Sequence, residues 1–309
     1  MTPAPGLSLV VPVFERPEAV RRFHERLVDT WTADLPPGEV IYVDDGSTDT
    51  TWAAICDLPP GPFVVRGLRL ARNAGQTVAM WVGWGSAEGS WLASLDADLE
   101  IDPSCLGPMW AAARAGADPV LAARDVRHVP WLRRSGSELW NLATRWTFRL
   151  QQRDLWCAAT LMSRDLFRTL SDDGGHHRQF KLLLLARAAS PGQVVVPAAP
   201  DDTAGYSVGA LVRIGVSTYV ELARLPAAFV SAPILVAVGV VITLTGRARP
   251  GAALALGGIG AGVVGIAAGS RDLTRLPPTI LPPVTIAEQF SRPSVGRPAG
   301  PGRVSLSGG

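Results

Sequence analysis

"VIYVDDGSTDTT", residues 40–51, sets an apolar run directly against a block of negative charge. Val40-Ile41-Tyr42-Val43 has the β-branched and aromatic make-up of a buried strand, and it stops at two adjacent carboxylates, Asp44 and Asp45. A Gly-Ser-Thr turn and Asp49 follow. Neighbouring carboxylates repel each other and are costly to desolvate unless a cation or hydrogen-bond donors meet them. Ser47 and Asp49 are placed to cap a helix starting near Thr50. Asp44 and Asp45 need another partner.

The same strand–turn–helix pattern extends on both sides of this stretch. Strands are predicted at 7–13, 40–45, 63–70, 91–96 and 119–123, alternating with helices at 18–30, 50–56, 75–88 and 104–115. Apolar runs unbroken by polar residues suit parallel strands buried on both faces, so the pattern predicts a doubly wound α/β sheet. Further on, a Trp- and Arg-rich helix is expected at 132–150, a strand at 155–162, a helix at 179–189 and a strand at 194–197.

The C-terminal third changes character. Residues 206–225 place Val208, Leu211, Val212, Gly215, Tyr219 and Leu222 along one stripe, as in a helix lying in a membrane interface; a core-packing helix is the alternative. Residues 226–246 and 250–270 carry no charge, and each approaches the ~20 residues that cross a bilayer core. Only Arg247-Ala248-Arg249 separates them, which makes a hairpin. Gly258-x-x-x-Gly262 and Gly265-x-x-x-Gly269 would let the two helices pack closely. Arg213, Arg224, Arg271 and Arg275 outside the spans outnumber the two loop arginines, which puts both termini in the cytoplasm. The expected organisation is a catalytic domain over 1–205, a juxtamembrane helix over 206–225, two spans within 226–270, and a tail over 271–309 that is disordered from about Arg292.

Composition agrees. The 309 residues are 47% hydrophobic with mean hydropathy +0.20, an excess that comes from the C-terminal spans. A net charge of only +2 argues against nucleic acid as a partner. Cys56, Cys105 and Cys157 are widely spaced, which fits neither a disulfide framework nor a zinc site and suits a reducing compartment. His176-His177 has no third ligand nearby and reads as a solvated loop. The N-terminus lacks the charged start and long apolar core of a signal sequence.

A second acidic cluster completes the pattern. Ligands of open α/β sheets bind beyond the carboxyl ends of the strands. There the first strand brings Pro12-Val13-Phe14-Glu15, the second Asp44-Asp45 and the fourth Asp96-Ala97-Asp98. Two carboxylates two residues apart can hold Mg²⁺ or Mn²⁺ while leaving positions for phosphate oxygens and water.

Together the stretches SLVVPVFERPE, VIYVDDGSTD, LRLARNAGQTVAMWVGWGSAEGSWLASLDADLEIDP, LAARDVRH and PPVTIAEQF resemble family-2 glycosyltransferases of the GT-A fold, specifically the polyprenol-phosphate glycosyltransferases of the dolichol-phosphate mannose synthase type and their membrane-anchored bacterial branch. The resemblance implies that Pro12, Phe14, Glu15, Asp44, Asp45, Asn73, Asp96 and Ala97 bind the nucleotide and that Asp96 and Asp98 hold the metal. It makes Asp98, Asp154 and Arg124 the catalytic candidates, with Arg127, Arg133 and Arg134 on the phosphate or acceptor side. The implied reaction moves a sugar, with inversion, from a GDP-mannose or UDP-glucose type donor to a polyprenyl phosphate at the cytoplasmic face of the cell membrane. Self-association is left open. Some positions depart from the family pattern: Glu15-Arg16 replaces Asn-Glu, Glu100 replaces Gln, and Thr160 replaces Arg. Asp202 and Val208 stand where a phosphate-binding Arg and Lys are usual, so phosphate charge would fall to Arg124, Arg127, Arg133, Arg134 or Arg145. The alternatives are transfer to another glycolipid or polysaccharide acceptor, or a non-catalytic membrane scaffold that keeps a nucleotide-binding fold.

Overall fold

Strands whose middles are apolar on both faces must be covered on both faces, and this chain supplies the cover from its helices. The computed structural model describes residues 6–125, 152, 157–171, 180–197 and 284–294. In chain order these form β1 (Leu7–Val13), α1 (Pro17–Thr30), β2 (Gly38–Asp44), α2 (Thr51–Cys56), β3 (Val64–Leu70), α3 (Gln76–Ser86) and β4 (Trp91–Ser94). A short 3₁₀ turn, Pro103–Cys105, leads into α4 (Leu106–Arg114), followed by β5 (Val120–Asp125) and β6 (Thr160–Ser163). Helices Arg164–Ser171 and Phe180–Arg187, β7 (Gly192–Pro197) and β8 (Ile286–Arg292) complete the set.

The eight strands make one sheet in the order β7-β5-β6-β4-β1-β2-β3-β8. β1 pairs in parallel with β2 and β4, β2 with β3, and β5 with β7. β6 runs antiparallel between β4 and β5, and β8 runs antiparallel along β3. The sheet is therefore mostly parallel but mixed.

Every residue of β1 and β2 is buried, and the two-residue alternation of the strands sorts them onto two cores. Leu7, Leu9, Val11, Val40 and Tyr42 face one core, filled by Val20, Phe23 and Leu27 of α1 and Met109 and Ala113 of α4. Val10, Ile41 and Val43 face the other, filled by Ala79, Trp81 and Trp84 of α3 together with Phe167, Leu170, Leu183 and Leu184. α1 is amphipathic because Ala19, Val20, Phe23, His24 and Leu27 fall on one stripe, and Pro17 starts it where a missing N–H costs nothing.

The predicted strands and helices before Asp125 all form, with ends shifted by a few residues. Two elements go beyond the sequence-based expectation. Helix Arg164–Ser171 follows β6 directly, in a stretch for which no element is predicted from the sequence. β8 comes from the stretch assigned to the tail, so the folded unit does not stop at residue 205: it takes back a strand from beyond residue 285. The expected helices at 132–150 and 206–225, the spans at 226–246 and 250–270, and His176-His177 lie outside the described residues. Among the described residues no helix is long and apolar enough to cross a membrane.

One buried polar pair stands out in the first core. His24 is fully buried, with Nε2 2.8 Å from the Pro59 carbonyl and Nδ1 2.9 Å from the Tyr42 hydroxyl. A carbonyl can only accept, so Nε2 carries the proton and Nδ1 accepts from Tyr42. Burial holds the His24 pKa below the ordinary 6.5, with the Pro59 bond pulling the other way. The unfolded chain takes up a proton below about pH 6.5 that the folded protein resists, so this contribution to stability is complete above that pH and declines as pH falls. Unfolding measured between pH 7.5 and 5 should show His24→Gln with a shallower pH slope than the wild type, by up to about one proton, or roughly 1.4 kcal/mol per pH unit.

Candidate active site

The strand order changes direction beside β1: the chain moves from β1 through β2 to β3 on one side, while β4 lies on the other. In parallel sheets the loops leaving such a point diverge and open a crevice at the carboxyl ends of the strands. Both acidic clusters sit there, Asp44-Asp45 leaving β2 and Asp96-Ala97-Asp98 leaving β4, with Phe14-Glu15 leaving β1 between them.

The loops are tied together by side chain–backbone bonds. Ser47 Oγ accepts the Glu15 N–H at 2.9 Å, and Thr51 Oγ1 accepts the Arg16 N–H at 2.9 Å. Thr48 Oγ1 donates to Glu15 Oε1 at 3.1 Å. Ser47 thus pins the β1 loop and does not cap α2, contrary to expectation. Asp49 does serve the helix start, through Oδ1 and the Thr51 N–H at 2.9 Å. Glu15 at φ 50° and Leu99 at φ 61° are non-glycine residues in the left-handed region, one in each loop beside the crevice. Such conformations cost energy and persist where surrounding bonds enforce them.

The two adjacent carboxylates have different surroundings. Asp45 spends both oxygens on backbone: Oδ1 accepts the Ala74 N–H at 2.7 Å and Oδ2 the Gly75 N–H at 2.8 Å. It fastens the loop carrying Asn73 and the start of α3 onto the end of β2. Gly46, at φ 72°, makes this possible, since a Cβ there would lie 2.3 Å from the Arg72 carbonyl carbon. Burial raises the Asp45 pKa, the two backbone bonds lower it, and the Asp44 charge adds to the rise. Asp44 has no exposed surface. Its Oδ1 accepts the Ser47 N–H at 2.9 Å, while Oδ2 is buried without a hydrogen bond and lies 3.4 Å from Arg69 Nε.

On the other side of β1, Asp96 is half-buried and accepts from Gln76 Nε2, at the first residue of α3, at 2.7 Å. Burial and the neighbouring Asp98 charge push the Asp96 pKa up to about 6, against the pull of Lys181 and Gln76. Asp98 is exposed and turns the loop by accepting the Glu100 N–H at 3.1 Å. Glu100 Oε2 lies 3.5 Å from Arg124 Nη1, which brings the end of β5 to the same loop. Ala97 is buried beneath it, Pro12 is buried in β1, and Phe14 and Asn73 are exposed at the rim. Asp154, Arg127, Arg133 and Arg134 lie outside the described residues.

Four further residues belong to this region although sequence reasoning does not single them out. Gln76 bonds Asp96, and the Lys181 charge acts on it. Arg69 and Glu288 reach the Asp44 side, with Arg69 Nη1 2.8 Å from Glu288 Oε1. Lys181 carries a signal of its own, since it is the only lysine in the sequence.

Comparison with known proteins follows the same geography. A family model described as glycosyl transferase family 2 matches residues 8–180. An undecaprenyl-phosphate 4-deoxy-4-formamido-L-arabinose transferase of Serratia proteamaculans is 32% identical over 142 residues, 45% of this chain and 43% of its own. A dodecaprenyl-phosphate galacturonate synthase of Rhizobium johnstonii is 38% identical over 104 residues, 33% of this chain and 31% of its own. These matches span less than half the length of either relative. The crystal structure of glucosyl-3-phosphoglycerate synthase from Mycobacterium tuberculosis superposes with a TM-score of 0.50 at 14% identity, covering 81% of this chain and 82% of that one. That likeness concerns the fold, and it supports a GT-A-like arrangement.

The clamp at Asp45 makes a direct prediction. Asp45→Asn keeps the shape but offers one acceptor where two N–H groups converge, so either Ala74 or Gly75 loses its partner. Denaturant unfolding should show a loss of about 1–3 kcal/mol.

Proposed function

The chain belongs to glycosyl transferase family 2, and from that premise we propose that it transfers a sugar from a nucleotide diphosphate sugar to a polyprenyl phosphate at a membrane surface. The observation that carries this reading is the pair of acidic loops flanking the end of β1, one with a buried carboxylate oxygen lacking a donor, the other with two carboxylates crowded together. The first suits the N–H and O–H groups of a nucleoside; the second suits a divalent cation and the diphosphate it accompanies.

Asp96 and Asp98 fit Mg²⁺ or Mn²⁺ chemically. Both are hard oxygen donors, and the burial and repulsion that lift Asp96 to about 6 are what a cation would offset. Among the described residues no group of three or more His, Cys, Asp or Glu could hold a metal ion, so further ligands would be diphosphate oxygens and water. The cation would supply neutralisation of the charge that the departing nucleoside diphosphate gains. The protein's own groups do the rest. Gln76 fixes the Asp96 carboxylate, and Asp45 sets the position of the α3 start from which Gln76 reaches it. Arg124 stands at the same loop, where its charge would face the diphosphate or the acceptor phosphate. An acceptor phosphate is already ionised near neutral pH, so no strong general base is needed. Attack from the face opposite the leaving group inverts the anomeric carbon.

The acceptor follows from two supports: the Serratia and Rhizobium relatives are named for undecaprenyl and dodecaprenyl phosphate, and residues 226–270 contain two uncharged stretches of membrane-spanning length. On this reading the catalytic domain sits at the cytoplasmic face, with 206–225 as an interfacial helix and Asp154, Arg127, Arg133 and Arg134 on the acceptor side.

The test is transfer of label from a panel of nucleotide sugars, with Mn²⁺ and polyprenyl phosphate, into the organic phase. Label that stays in water, or enters only with a different acceptor, would overturn the reading. Asp98→Ala should lower transfer by on the order of 10²-fold or more with little change in melting temperature. Asp44→Ala should raise KM for the nucleotide sugar more than it lowers kcat, because it removes a contact made before the chemistry begins.

A further inference from the structure

Asp44, Arg69 and Glu288 stand in one row across three neighbouring strands. Asp44 on β2 is opposite Arg69 on β3, and Arg69 is opposite Glu288 on β8. A single guanidinium is therefore shared between two carboxylates. Its shortest bond, 2.8 Å from Nη1, goes to Glu288 Oε1; Nη2 donates to the Ser47 carbonyl at 3.1 Å; Nε remains 3.4 Å from Asp44 Oδ2.

This division runs against simple electrostatics. Asp44 is completely buried and Glu288 is 52% exposed, so the Asp44 pair is the less screened of the two and should be the shorter. Instead Oδ2 is left without a hydrogen bond in a fully buried position, which is unfavourable for any carboxylate. Something must hold Arg69 back. Glu288 is itself fixed in place to do so, because its second oxygen accepts from Trp52 Nε1 at 2.8 Å. The bonds from Arg69 and Trp52 hold its carboxyl below the usual range. The Trp52 ring also lies 6.0 Å from the Arg69 guanidinium and packs, tilted by 57°, at 5.8 Å against Phe290. Phe290 in turn covers Gly67, where any Cβ would lie 2.3 Å from the ring. Arg292 closes the strand by donating to the Leu58 and Cys56 carbonyls.

We propose that Glu288 is a positioning residue for donor binding: from the returning C-terminal strand it holds Arg69 away from Asp44, keeping Asp44 Oδ2 open to an N–H or O–H of the nucleotide. The inference rests on the donor reading above and deepens it. Without Glu288, the guanidinium closes on Asp44, satisfies it internally, and the nucleotide loses its acceptor. Donor affinity is thereby linked to the docking of β8, whose sequence lies more than two hundred residues from Asp44.

The experiment uses the full-length chain in detergent with Mn²⁺ and calorimetric titration of UDP, GDP, CDP, ADP and dTDP. Glu288→Ala should weaken the preferred nucleotide about tenfold, with Glu288→Gln, which still offers Arg69 an acceptor, in between. KM for the nucleotide sugar should rise in parallel with kcat nearly unchanged. The deciding variant is Glu288→Ala combined with Arg69→Met. With no cation left to close on Asp44, it should bind more tightly than Glu288→Ala alone. If Glu288 only anchors the strand, the double variant will instead bind as weakly or more weakly, and the inference is overturned. It is overturned too if Glu288→Ala binds like the wild type, while the donor reading stands. A wild type that binds none of the five nucleotides overturns both.

Discussion

A mostly parallel sheet whose central strands are buried on both faces leaves little place for ligand contacts along those strands, and that constraint shapes much else in this protein. β1 and β2 expose nothing, so a charge within them must be paired inside the sheet, as Glu39 is with Arg66 at 2.7 Å. Carboxylates free to meet a ligand can appear only at or beyond their carboxyl ends. Three loops meet there and must be held without a core of their own. Asp45 supplies much of the holding by gathering two backbone N–H groups from the start of α3. Ser47 and Thr51 do the same for the loop after β1. A carboxylate that reads as a ligand contact is thus also masonry, and its neighbour Asp44 keeps an oxygen free of such duties.

How far the structure is legible in the sequence depends on whether the signal is local. The first five strands and four helices read directly from apolar runs and their spacing, because each strand is continuous in sequence and is buried along all or most of its length. The acidic ends of β2 and β4 read equally well, since two carboxylates after an apolar run have few explanations. Ser47 misleads because capping is a local rule, whereas its actual partner, the Glu15 N–H, is 32 residues away. β8 escapes notice for the opposite reason. An edge strand that exposes most of its residues carries no apolar run, and its anchors, Phe290 on Gly67 and Glu288 on Arg69, are visible only once the sheet exists.

The basic residues show how composition can point where pattern cannot. The chain has 29 lysines and arginines together and one lysine, Lys181, leaving 28 arginines. Its ammonium acts on Asp96 and donates to the Cys157 carbonyl, so it bridges the segment after residue 156 and the acidic loop after β4. No periodicity marks this residue, but its singularity does.

The antiparallel pairing of β8 with β3 also constrains the path of the chain. β7 ends at Pro197 and β8 begins at Ile286, and both belong to one sheet. A sheet cannot be hydrogen-bonded through a bilayer, so Pro197 and Ile286 lie on one side of any membrane the protein meets. The proposed membrane anchoring is therefore compatible with the sheet only if the number of crossings between them is even. A single anchoring helix, or three, would strand Glu288 on the far side of the membrane from Arg69.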